Sequence, residues 1–164
     1  MRVPVVRNAP PRIESLVTST DAGPGAVRKA TEAAAGILAK VGIPRRSAFA
    51  DAVLLVVGEL VANVVRHARE TPVVDVGITV GGGGLVVSVA DGDPRMPELD
   101  PTRTRSGLWS VTEVAAVYDG EMSVEPALQH AGKVVLVTFR IPAQQGGTTE
   151  NDQRWTSGED MPRT

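Results

Sequence analysis

The chain has 164 residues, 42% of them hydrophobic and only 3% aromatic, with 17 basic and 19 acidic side chains and a net charge of −2. That length suits one domain with an aliphatic core of Val, Leu, Ile and Ala, and the balanced charge argues against holding nucleic acid by bulk electrostatics. The lack of cysteine excludes disulfides, thiolate metal sites and a cysteine nucleophile.

Residues 1–12 form an N-terminal extension, and Met1–Pro11 has no apolar run of signal-peptide length. Glu14–Thr18 carries strand-forming residues. Asp21-Ala22-Gly23-Pro24 signals a helix start, with Asp as the cap. An Ala-rich helix over Gly25–Val41 should follow and stop at Gly42 and Pro44. A longer helix is expected from about Ser47 to Arg69. No segment is expected to reach the length of a membrane helix, and the expected location is cytoplasmic. Val73–Val80 and Leu85–Ala90 read as strands, and Gly81–Gly84 joins them as a hairpin. Asp91–Arg105 reads as a loop, and Ser106 can cap a third helix over Gly107–Val117, whose Trp109 is expected in the core, the other reading being contact with a lid and ligand. Asp119-Gly120 is a turn, followed by strands near Glu121–Val124 and Lys133–Ile141, with His130 solvated between them. The domain should span 13–142, and residues 143–164 have the polar composition of a disordered tail. Element order implies an α+β two-layer sandwich, a mixed and mostly antiparallel sheet with helices on one face.

Glu59, Asn63 and His67 recur every four residues on the long helix and so share one face. The same face carries the apolar Leu55 and Ala52 toward its start. A face that changes from core-like to polar lies either at the rim of the domain or along a cavity. At the rim, the three groups are simply solvated. In a cavity, a carboxylate can take a proton from a hydroxyl. An Asn carbonyl suits Mg²⁺ held jointly with phosphates, and an imidazole can donate to a phosphate. Together they fit phosphoryl transfer.

The segment Gly58-Glu59-Leu60-Val61-Ala62-Asn63-Val64-Val65-Arg66-His67-Ala68 resembles the N box of the histidine-kinase-like (GHKL, Bergerat-fold) ATPase superfamily. Within it, the chain is similar to a small actinobacterial branch related to anti-sigma-factor serine kinases. The order of the later segments agrees: a hairpin, a strand ending in Asp91, a loop, a Gly-Leu helix start and a Lys-Val-Val-Leu-Val-Thr-Phe strand. The resemblance spans about Glu14 to Pro142. It implies ATP and Mg²⁺ as cofactors, with Asn63 holding the metal and Glu59 as general base. His67 would lie near the phosphates, Asp91 with Gly92 would meet the adenine amino group, and Thr138 would support adenine. Arg105, Ser106, Gly107 and Leu108 form the counterpart of the second glycine box, opening a helix whose N-terminal amides face phosphate.

Two segments depart from the family pattern. Asp93 and Arg95 stand where the first glycine box, Asp-x-Gly-x-Gly, has its glycines, and Arg105 replaces the first Gly of the second box. An inward carboxylate at 93 repels phosphate, whereas Arg95 or Arg105 attracts it. Two functions follow from the resemblance. One is an ATP-dependent serine/threonine kinase that is also an anti-sigma factor, homodimeric, partnered by a sigma factor and by the antagonist protein it phosphorylates. The other is a degenerate module with weak or absent nucleotide binding that regulates through protein contacts alone.

Overall fold

A computed structural model describes residues 13–68, 71–97, 107–128 and 130–143. The N-terminal extension and almost all of the C-terminal tail lie outside these residues, as do Arg105 and Ser106.

In chain order the elements are β1 (Glu14–Asp21), α1 (Ala26–Lys40), α2 (Ala48–His67), β2 (Val73–Gly81), β3 (Gly84–Asp91), α3 (Gly107–Val117), β4 (Met122–Pro126) and β5 (Lys133–Arg140). The five strands form one open sheet in the order β1-β2-β3-β5-β4. All four pairings among the described residues are antiparallel, so the expected α+β sandwich holds with no parallel pair among those residues. Alternation along β2, β3 and β5 sends Val76, Ile78, Val87, Val89, Val135 and Val137 inward, all at most 5% exposed. Helix α2 packs against that face and buries Val53, Val56, Val57, Leu60, Val61 and Val64. Helices α1 and α3 flank α2.

The helix ends follow local chemistry. Ser47 caps α2, its hydroxyl accepting the Ala50 N–H at 3.1 Å. At the end of α1, Gly42 adopts φ 81°, and Ile43 N–H bonds the Leu38 carbonyl, a helix stop that favours Gly. The expected Asp21 cap is corrected: Asp21 ends β1, and Gly25 with φ 85° precedes α1 without a side-chain cap.

Two further expectations change. By length and a mean hydropathy of 2.0, α2 is apolar enough to cross a membrane. Its apolarity reflects its place between the two other helices and the sheet, where eight of its residues are buried. Trp109 is 49% exposed and not in the core. Helix α3 buries Leu108, Val111 and Ala115, spaced three and four apart, and Trp109 is turned ~100° away from Leu108. The aromatic part of the core is instead Phe49, Tyr118 and Phe139, edge-to-face with centroids 5.0–6.4 Å apart. These rings close the end of the core away from the start of β5.

Candidate nucleotide-binding cavity

At the other end of the core, the last turns of α2, the end of β3, the start of β5 and the start of α3 leave a cavity of about 360 Å³. That volume lies within the range of small-molecule sites. Asn63 and His67 line it from α2, Asp91 from β3, Leu108 from α3 and Lys133 from β5, with Asp93, Arg95 and Met96 from the loop after β3.

The register explains why these side chains meet. Asp91 is the last residue of β3 and points inward, 3% exposed. Its ladder partner is Lys133, the first residue of β5. Close approach at this corner depends on Gly132, where a methyl group would lie 1.8 Å from the Asp91 carbonyl oxygen. Lys133 Nζ donates to Asp91 Oδ1 at 3.0 Å and to the Asp93 carbonyl at 2.9 Å. Asp91 Oδ1 also accepts the Asp93 N–H at 2.8 Å.

The loop carries a second charge pair. Arg95 donates to both Asp93 carboxylate oxygens through Nε, at 3.0 and 3.1 Å, and its backbone N–H donates to Oδ1 at 2.9 Å. Arg95 Nη2 reaches the His67 carbonyl at 3.2 Å, which ties the loop to the end of α2. These hydrogen bonds, first from the Arg95 side chain and then from its N–H, hold the Asp93 carboxyl well below the usual carboxylate range. The Asp93 carboxylate, which alone would repel phosphate, is therefore matched by a guanidinium.

Other predicted site residues are placed as follows. Glu59 does not line the cavity. It lies one turn before Asn63, one-third exposed, with Arg66 Nη2 3.9 Å away. Its carboxylate sits against the start of α3, where a methyl group at Gly107 would be 2.0 Å from Glu59 Oε2. An anion beside the first turn of a helix is favoured by the helix dipole. Gly92 is exposed, its N–H bonded to Thr71 Oγ1 at 3.1 Å. His67 is exposed at the cavity mouth and Asn63 is half-buried. Leu55 is 49% exposed, so the α2 stripe follows the rim throughout and reaches the cavity only at Asn63 and His67.

Thr138 is a correction. It pairs with Val86, five residues along β5 from Lys133, or ~17 Å at strand spacing. Its hydroxyl accepts the Glu121 N–H at 3.0 Å, and it borders a different surface hollow with Gly82 and Asp119. The residue of β5 beside Asp91 is Lys133. The alternation Lys133, Val135, Val137, Phe139 marks it as inward-facing, the one local signal for it in the sequence.

Comparison with known proteins agrees with this architecture. The sequence profile described as "Histidine kinase-like ATPase domain" matches residues 20–116, more than half of the chain. Among solved structures, the blue-light activated histidine kinase of Erythrobacter litoralis EL346 is similar at 22% identity with a TM-score of 0.50. That match covers 70% of this chain and 44% of the other. The histidine kinase domain of the same protein gives 22% identity and a TM-score of 0.45 over 56% of this chain and 44% of that one. The likeness is one of fold, and this chain spans less than half the length of either relative. No curated protein matches the chain.

Proposed function

The chain belongs to the histidine kinase-like ATPase domain family, and on that premise we propose that it binds ATP with Mg²⁺ and acts as a serine/threonine kinase and anti-sigma factor. One observation carries the reading: Asn63, His67, Asp91 and Leu108, brought from a helix, a strand and a second helix, line one cavity.

The donors present fit a nucleotide-borne metal. Asn63 is half-buried, lines the cavity and has no hydrogen-bond partner among the described residues, so its carbonyl oxygen is available. The same residues contain no group of three or more His, Cys, Asp or Glu that could cage an ion. One protein oxygen with phosphates and water is a usual Mg²⁺ environment. The ion supplies charge neutralisation at the phosphates. In this reading His67 at the mouth and the first amides of α3 meet phosphate oxygens. Glu59, ~6 Å along the helix from Asn63 and partly open to solvent, is the base to which the hydroxyl of a protein substrate gives its proton.

The substrate in this reading is a small antagonist protein, phosphorylated at Ser or Thr. A sigma factor competes with it for the regulator, which works as a homodimer in the cytoplasm. Calorimetric titration of Mg·ATP into the wild type and Asn63→Ala tests the pocket. Binding that is lost or strongly weakened in the variant supports the reading. Radiolabel transfer to candidate antagonists then tests the kinase: Glu59→Ala should keep nucleotide and lose transfer.

The Lys133–Asp91 pair favours a second reading, a module that regulates by protein contacts alone. Asp91, the residue expected to meet adenine, already gives Oδ1 to an ammonium and an N–H. No heat of ATP binding to the wild type would select this alternative.

A further inference from the structure

Lys133 is 7% exposed, and a lysine is almost never buried unless paired. Its ammonium has three N–H groups. One goes to Asp91 Oδ1 and one to the Asp93 carbonyl, and the third has no acceptor among the described residues. Asp91 shows the complementary deficit. Oδ1 accepts two hydrogen bonds, and Oδ2 accepts none among the described residues. Both side chains line the cavity.

The cavity wall therefore offers one strong donor beside one strong acceptor, fixed relative to each other by the 3.0 Å ion pair. Such groups are costly to leave without partners in a desolvated site. Their complement is an edge with an acceptor beside a donor. Adenine carries this pattern on both edges that flank its N6 amino donor, with ring N1 or ring N7 as the acceptor.

We propose that Lys133 is a base-reading residue that donates directly to adenine N1, while Asp91 Oδ2 accepts from the N6 amino group. On this account the ion pair does not block Asp91 but completes it. Lys133 supplies the donor that a carboxylate alone lacks, and Asp91 keeps the ammonium buried and oriented. The inference rests on the nucleotide reading above and deepens it.

The test uses analogues on the unaltered full chain, so it does not depend on a variant folding. ATP, 7-deaza-ATP, 1-deaza-ATP and GTP are titrated calorimetrically in the presence of Mg²⁺. ATP and 7-deaza-ATP, which both keep N1 and N6, should bind alike. Replacing N1 by C–H should weaken binding about tenfold or more, the size of one hydrogen bond to a charged donor. GTP presents its acceptor and donor in the reverse order and should also bind more weakly. Lys133→Met should bind ATP and 1-deaza-ATP equally. ATP binding with no penalty for 1-deaza-ATP overturns the role of Lys133 and leaves the nucleotide reading standing. GTP binding as tightly as ATP overturns the adenine assignment. No binding of any triphosphate overturns both.

Discussion

The buried pair of Asp91 and Lys133 makes a quantitative demand on stability that is independent of any ligand. The two side chains are 2% and 8% exposed and 3.0 Å apart. Removing one partner strands a charge in the core, which costs about 3–5 kcal/mol. A domain of this size has roughly 5–15 kcal/mol in total, so Lys133→Met alone or Asp91→Asn alone should remove a large part of it. At about 3–5 °C per kcal/mol for an ordered domain between the small and mid-size classes, each should melt about 10–20 °C lower. Asp91→Asn with Lys133→Met leaves no charge and should recover most of the loss, because well-packed neutral replacements of a buried pair are often neutral or better. Chemical denaturation of all four proteins closes the cycle, with a coupling of a few kcal/mol expected. Single variants that each stay within about 0.5 kcal/mol of the wild type, as exposed sites do, would refute the burial of the pair and its place at the base of the cavity.

Three other outcomes follow from named contacts. The Asp93 carboxyl is held below its unfolded value of about 3.9 by Arg95. Its contribution is thus fully present above pH ~4 and is lost as pH falls toward the folded value. The difference in melting temperature between wild type and Asp93→Asn should be flat from pH 7 to 5 and shrink below pH 4; a difference unchanged down to pH 3 contradicts the ion pair. Gly132→Ala puts a methyl group 1.8 Å from backbone that cannot rotate away. It should destabilise by about 1–3 kcal/mol or more, read by urea denaturation, and a neutral Ala would mean that β3 and β5 do not meet as described. On α2, Leu60→Ala should cost about 2–5 kcal/mol, since Leu60 is 2% exposed, whereas Leu55→Ala, 49% exposed, should cost well under half of that. Equal losses would move Leu55 into the core.

How much of this was legible depended on whether a signal was local. The Ser47 cap, the Gly42 stop, the Gly81–Gly84 hairpin and the Val-rich strands are decided within a few residues, and the structure has them where the sequence puts them. The spacing of Glu59, Asn63 and His67 gave the shared face but not which way it points. Leu55 was read as core because it is apolar, yet Val56, Val57 and Leu60 supply the buried stripe, and Leu55 falls outside it. Lys133 was hidden by a different cause. A lysine opening a strand after Gly132 reads as an exposed edge, and only the register with Asp91 shows what neutralises it. Thr138 was misplaced by the same gap: its parity along β5 puts it on the sheet face away from the helices, which counting from Phe139 would have shown.

The start of the loop after β3 departs from the family's glycine pattern and is held by charged side chains instead. Glycines at 93 and 95 would leave that segment free to turn. Here the backbone of Asp93 is tied at both ends, its N–H to Asp91 and its carbonyl to Lys133, and its carboxylate is clamped by Arg95, which also reaches the end of α2. Conformational freedom has been exchanged for two ion pairs. The charges lining the cavity cancel among the described residues, Asp91 and Asp93 against Lys133 and Arg95. Under the proposed function, a triphosphate entering it gains little from net positive potential, so its attraction would come from directed groups: the amides at the start of α3, His67, and a metal that Asn63 would help to hold. The proposal thereby puts the weight of phosphate binding on Asn63 and α3, and the weight of base selection on the Asp91–Lys133 corner. If the proposal holds, the two roles belong to different residues of one cavity and can be lost separately.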